Sequence, residues 1–237
     1  MTAVVDARIP LAAEQALRDR GFAIVKLPPH PALPAPIASH PDMLIFFAQD
    51  AVFCTKSYYV IAKNELEKIS RAAQRPLITL KKELGATYPR DILLNAAPVG
   101  QYLFCLSEYT ADEIREGFRV IPVKQGYAKC STVPVGESSI ITADPSIARA
   151  AQVNGIDTLT VRAGHVTLSG YDTGFLGGTS SFAPYGDTNE VFFCGDLTKH
   201  PDHAHIRAFC HDRGFETVSL SNEPLTDVGT IFLIEGV

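Results

Sequence analysis

The feature that most constrains the fold is a phrase that returns five times: a helix end, a small residue or turn, then a short apolar strand. It reads ALRDRGFAIVKL at Gly21, ISRAAQRPLITL around Arg75 and Pro76, and DEIREGFRVIPV at Gly117. It returns as ARAAQVNGIDTLTV at Gly155 and IRAFCHDRGFETVSL at Gly214. Four of the five junctions carry glycine, which enters positive φ without a Cβ penalty where a helix ends. The segments before the junctions have helical spacing, as in Leu66, Ile69 and Ala73. Asn64 with Glu67 and Thr110 with Glu113 read as capping boxes, and Asp144-Pro145 as an N-cap followed by proline at N1.

Upstream of each helix lies a second phrase: a short strand, a polar turn and another apolar strand. Three of these second strands end alike, as VFC at Cys54, LFC at Cys105 and FFC at Cys194, and SSIIT to Thr142 fills the place in another copy. The turns before them, at 48–50, 99–101, 135–137 and 185–188, hold the Gly, Asp or Asn that hairpins use. The unit is therefore β–hairpin–β–α–β at intervals of roughly 40 to 60 residues. The last copy is split. GTIFLIE supplies a first strand at the C-terminal end, while the N-terminal end begins with a strand, a helix and a strand but lacks a first strand. The two ends complete each other, so the expected fold class is α/β: a five-bladed propeller of ββαβ units in one domain over 1–237, closed by the terminal segments. An open α/β sheet with a loose C-terminal hairpin is the alternative. Pro28 to Pro36 reads as an extended loop.

Closure of this kind sends the first strands to a common axis. Twelve positions before Cys54 stands Asp42, and twelve before Thr142 stands Cys130; the matching strands offer Asp91, Asn95, the GGTSS segment at 177–181 and Asp227. Short polar residues in otherwise apolar strands read either as a shared site, with Ser180 in the GGTSS segment a candidate for ligand contact, or as turn-forming groups. Cys54, Cys105, Cys194 and Cys210 read as small core hydrophobes. Cys130 differs, because it stands in QGYAKCST beside Lys129, and a nearby cation favours the nucleophilic thiolate; the alternative is a half-buried structural thiol. His40-Pro41-Asp42 leads into the strand MLIFF and offers an acid/base beside a carboxylate; alternatively, Pro41 only shapes the turn. His200, His203 and His205 cluster, but their spacing matches no metal template. Asp172 and Asp187 read as turn caps, Asp172 also serving as a reserve site residue. The Gly174, Gly177, Gly178 run lacks the Gly-Lys-Ser/Thr of a phosphate-binding loop.

Charge narrows the partners. A formal net charge of −5 over mixed signs gives no basic footprint for nucleic acid, and no apolar run approaches a bilayer span. The N-terminus shows no secretory leader pattern, and five cysteines without framework spacing favour reduced thiols, so a cytoplasmic protein is expected. The sequence leaves the oligomeric state open.

The repeat, His-Pro-Asp at 40–42, QGYAKCS at 125–131, SIITAD at 139–144 and GYDTGFLGG at 170–178 together resemble an uncharacterised bacterial branch of the pentein, or guanidino-group-modifying enzyme, fold. The resemblance covers essentially the whole chain. It implies an axial cysteine attacking a guanidinium carbon, a histidine moving protons and carboxylates holding the cation. Cys130-Ser131-Thr132 is similar to the Cys-x-Thr strand of those enzymes, and His40-Pro41-Asp42 to their His-x-Asp strand. The expected assignment is Cys130 as nucleophile and His40 as acid/base. Asp42, Asp227, Asn95, Asp172 and Ser180 are expected around a small guanidino or related cationic compound, without metal or organic cofactor. Two departures stand out: the cysteine is mid-chain rather than near the C-terminus, and the chain is shorter than most of those enzymes. Some proteins of this fold, such as ribosome anti-association factors, are not enzymes, so the alternative is a non-catalytic binding protein for a small ligand or a macromolecule.

Overall fold

The computed structural model describes residues 1–185 and 188–234. Turns at the expected places fold the chain back on itself, and three units share one plan. In the first, strands Ile45–Phe47 and Val52–Cys54 pair antiparallel; helices Lys56–Ile61 and Lys63–Ala73 then carry the chain to Leu77–Thr79, parallel to Val52–Cys54. Ala97–Val99, Tyr102–Cys105 and Arg119–Pro122 repeat the arrangement, as do Thr132–Val135, Ser139–Thr142 and Asp157–Thr160. The first two strands of each unit are mostly buried, and the third lies nearer the surface, as the burial of Thr132–Val135 and the exposure of Asp157 and Thr160 illustrate. Connecting helices turn one apolar face inward: Leu66, Ile69 and Ala73 in one, Ile147, Ala148 and Ala151 in another.

The chain ends build one sheet. Thr2–Asp6 pairs antiparallel with Ile231–Ile234 and parallel with Ala23–Leu27, with helix Leu11–Asp19 between. The remaining unit departs from the plan. Glu190–Phe193 and Glu216–Ser219 pair parallel around helix His203–His211, but the short strand Ser181–Phe182 joins Ile231–Ile234 and meets its own unit through a Ser180–Phe193 bridge and a bond from the Phe192 amide to Ser181 Oγ. The α/β fold thus consists of several small sheets, none recorded as a closed barrel among the described residues. Among those residues no helix is long and apolar enough to cross a membrane.

Gly21, Gly117, Gly155 and Gly214 all take positive φ at the helix–strand junctions, and Gln74 supplies the same left-handed turn in the fifth. Two expected caps fail. Helix Lys63–Ala73 starts one residue before Asn64, and the helix after Thr110 starts at Asp112 without a side-chain cap; Thr110 Oγ1 instead donates to the Leu106 carbonyl. Asp144 caps as expected, accepting from the Ser146 and Ile147 amides. Loop 28–36 is not wholly extended, since a turn follows His30 and a short 3-10 helix spans Ala35–Ile37. Asp187 and part of the expected 185–188 turn lie outside the described residues.

Candidate functional site

The expected site residues do not sit in strands but in the turns just before them. Pro41–Leu44 forms one helical turn, so the strand begins at Ile45 rather than Met43; Cys130 lies in the turn before Thr132, and Leu176–Thr179 is helical. Proline at N1 of the first turn presets its φ. These turns interlock through backbone bonds, Asp42 N–H to the Gly229 carbonyl and Gly178 N–H to the Cys130 carbonyl, at 3.0 and 2.9 Å. Space is tight: a Cβ on Gly178 would stand 1.9 Å from Asp227 Oδ1, so only glycine fits.

One buried polar cluster results. The Cys130 thiol donates to Asp42 Oδ2 at 3.1 Å and accepts from Asn95 Nδ2 at 3.1 Å. Asn95 Oδ1 also accepts from the Lys129 and Cys130 amides, at 2.8 and 3.4 Å, fixing the turn that carries the thiol. Thr230 Oγ1 donates to Asp42 Oδ2 at 2.8 Å and accepts from Lys129 Nζ at 3.1 Å, bridging carboxylate and ammonium. Asp227 accepts from the Phe175 and Gly229 amides and stands 3.8 Å from His40 Nδ1. His40 Nε2 is 3.8 Å from Asp6 Oδ2, so the imidazole lies between two carboxylates at distances beyond a direct hydrogen bond. Asp42, Asn95, Lys129, Cys130, Asp227 and His40 are all buried.

Burial dominates the titration of this cluster. It pushes the carboxyls of Asp42 and Asp227 up from their ordinary range, with Lys129 pulling Asp42 back and His40 pulling Asp227 back. It lowers His40, against Asp227 and Asp6, leaving a neutral imidazole near pH 7. It lowers Lys129 to about 8, opposed chiefly by Asp42. The Cys130 thiol is pushed well above its usual value, first by burial and then by the charges of Asp42 and Asp227. The expectation that Lys129 would favour a thiolate is therefore corrected: lost hydration and the two carboxylates hold the thiol protonated, and the Lys129 ammonium turns to Thr230.

The other expected residues separate. Ser180 is buried, but its hydroxyl donates to the Gly177 carbonyl and closes its own turn. Asp172 is exposed and makes no recorded contact with the cluster. Asp91 accepts from the Tyr127 hydroxyl at 2.7 Å, outside the Cys130 network. Cys54, Cys105, Cys194 and Cys210 are free and buried in apolar packing. His200 Nδ1 accepts from the Asp202 amide, His203 Nδ1 meets the His200 carbonyl and His205 is exposed; no metal-holding group occurs among the described residues. Sequence reasoning missed Thr230 and Asp6. Asp6 had a signal, a charge ending the apolar run AVV. Thr230 had none, since its positive φ appears only in three dimensions.

A small cavity opens beside the cluster, with volume for about one water, ≈ 10 Å³. Asp42 and Lys129 are its charged lining residues, and Ile45, Phe46, Leu94 and Phe182 contribute apolar wall.

No curated protein sequence matches the chain. Among solved structures it is similar to a cysteine-to-serine variant of DDAH from Pseudomonas aeruginosa complexed with citrulline, with TM-score 0.55 and 10% identity over 93% of this chain and 92% of the other. It is similar to the agmatine deiminase of C. jejuni at TM-score 0.53 and 10% identity, covering 94% and 78%. The inosamine-phosphate amidinotransferase of Streptomyces griseus gives TM-score 0.51 and 10% identity, covering 100% and 94%. These likenesses are of fold alone. Residues 4–232 match the profile described as "Family of unknown function (DUF6873)", and the chain belongs to that family.

Proposed function

We propose that the five units stand as blades around one axis in a single domain, and that the buried cluster is the active site of a cysteine-dependent hydrolase or amidino-transfer enzyme acting on a small guanidino or related planar C–N compound. One observation carries the reading: the Cys130 thiol is held at 3.1 Å by both Asp42 and Asn95, instead of packing in an apolar layer. A purely structural thiol needs no carboxylate partner, and burying that carboxylate is costly. The fold likeness to a deiminase and an amidinotransferase supports the same class.

In this reading Cys130 Sγ attacks the planar carbon while its proton passes to Asp42 Oδ2. The C–N bond then breaks, and the leaving amine takes a proton from the cluster. Neutral His40, lying between Asp227 and Asp6, accepts a proton from the water or acceptor amine that releases the covalent intermediate. Asp42 and Asp227 supply carboxylates for the substrate's N–H groups. The resting site keeps Cys130 as a thiol, so ligand that occupies the carboxylates relieves part of the upward push on its pKa.

A second reading, a binding protein using the same pocket without turnover, is favoured by the ≈ 10 Å³ cavity and by the ammonium already beside Asp42. Incubation with small amide- and amidine-based α-halo thiol labels separates the two. The enzyme reading expects saturable labelling of Cys130, lost in Cys130→Ala and at least about tenfold faster than glutathione at the same pH. Labelling by every reagent no faster than a free thiol favours the binding protein.

A further inference from the structure

Asp42 and Lys129 together present an edge that a guanidinium does not match. Asp42 Oδ2 is used by Cys130 and Thr230, but Oδ1 is buried and has no hydrogen-bond partner among the described residues. Lys129 Nζ donates to Thr230 Oγ1 and, at 3.4 Å, to the Thr132 carbonyl, leaving a third N–H without a partner among the described residues; the ammonium lies 5.6 Å from the centroid of Phe182, which also lines the cavity. Asp42 and Lys129, both of which line the cavity, thus hold an unpartnered acceptor, Oδ1, and a spare donor on Nζ. A guanidinium carries five N–H donors and no acceptor, so it offers the lysine nothing, and its charge is set against a buried ammonium.

Resting on the reading that Cys130 is the nucleophile, we infer that the compound taken by this site is neutral, a ureido or carboxamide compound, and that Lys129 is the residue that determines this. The amide N–H bonds Asp42 Oδ1 and the carbonyl oxygen bonds Lys129 Nζ, while the attacking thiol stands on the other oxygen of the same carboxylate. Attack then forms a C–S bond and moves the carbonyl π pair onto the oxygen facing the ammonium, while the thiol proton goes to Asp42. Collapse breaks the C–N bond, and the amine leaves with that proton. Water hydrolyses the thioester or thiocarbamate and restores the thiol. Lys129 supplies fixed positive charge where the oxyanion develops, the place a guanidine would need its own cation. This reading replaces the cationic compound expected from the carboxylates alone. Phe182 and its apolar neighbours must turn aside for any ligand larger than a water.

The test is a matched pair of thiol labels, 2-chloroacetamide and 2-chloroacetamidine, alike in shape and different in charge. Rates of Cys130 modification are followed by intact-protein mass and peptide mapping and normalised to glutathione, in wild type and Lys129→Met. The expected result is at least about a tenfold preference for the amide in wild type and a shift of at least about tenfold towards the amidine in Lys129→Met. If Lys129→Met does not fold, the wild-type preference alone decides. A wild-type preference for the amidine, or an unchanged ratio in a folded Lys129→Met, overturns the neutral ligand and leaves the cysteine reading standing. Selective labelling by neither reagent overturns both.

Discussion

A buried ammonium leaves a measurable trace in the pH dependence of stability, and Lys129 is the place to look. It is 1% exposed, and burial lowers its amine from 10.5 to about 8, against the attraction of Asp42. That difference corresponds to about 3 kcal/mol of preference for the neutral amine in the folded protein. The unfolded chain holds the proton up to about 10.5, whereas the folded chain releases it near 8. Between these values the unfolded state binds more protons, so the Lys129 contribution to stability rises with pH. Below pH 8 both states are charged and the contribution is flat. Buried thiols act in the opposite sense: Cys54, Cys194 and Cys210, raised to about 12 by burial, lower stability as pH climbs past 9. The difference between wild type and Lys129→Met, which keeps the stem and removes the charge, cancels their effect. Urea unfolding of both proteins from pH 7 to 10.5 should give a difference that grows by about 3 kcal/mol across the upper part of that range. A difference flat to within about 0.5 kcal/mol would refute a buried, charged Lys129, and with it the argument for a neutral ligand.

Asn95→Ala strips the acceptor from the buried Lys129 and Cys130 amides; thermal unfolding should fall in proportion to a cost of about 1–3 kcal/mol, and Cys130 labelling should slow. Gly178→Ala places a methyl 1.9 Å from Asp227 Oδ1, and its expected destabilisation is about 3 kcal/mol or more, read by urea midpoint or lost soluble yield. Asp42→Asn removes a charge that holds the Cys130 thiol high, so thiolate formation, followed by ultraviolet absorbance or alkylation rate against pH, should move to lower pH while remaining above that of a free thiol.

The strand–helix phrase was readable because its signals are local. A left-handed residue after each helix and apolar runs of strand length need no tertiary knowledge, and the pairing of Thr2–Asp6 with Ile231–Ile234 followed from a first strand missing at one end and spare at the other. The same phase brought Asp42, Asn95, Cys130 and Asp227 into view. Capping was read less well. Asn64 and Thr110 have the right spacing, but the helices start at Lys63 and Asp112 without a side-chain cap. Lys129 was legible as a cation next to Cys130, yet its effect on the thiol was misjudged, because desolvation depends on burial that a single sequence does not display. Thr230 and the closing of Ser180 onto its own turn came from tertiary contacts alone.

If Cys130 is a nucleophile towards a planar C–N carbon, its covalent intermediate can be trapped. Wild type and Cys130→Ala are exposed to a panel of small ureido, carboxamide and guanidino compounds, quenched in acid and measured by intact-protein mass, with amine release followed in parallel. The expected result is a mass increment on Cys130 for at least one compound, accompanied by released amine, and neither signal in Cys130→Ala. Amine release that survives in Cys130→Ala, or a panel that yields neither adduct nor amine from wild type, would contradict it.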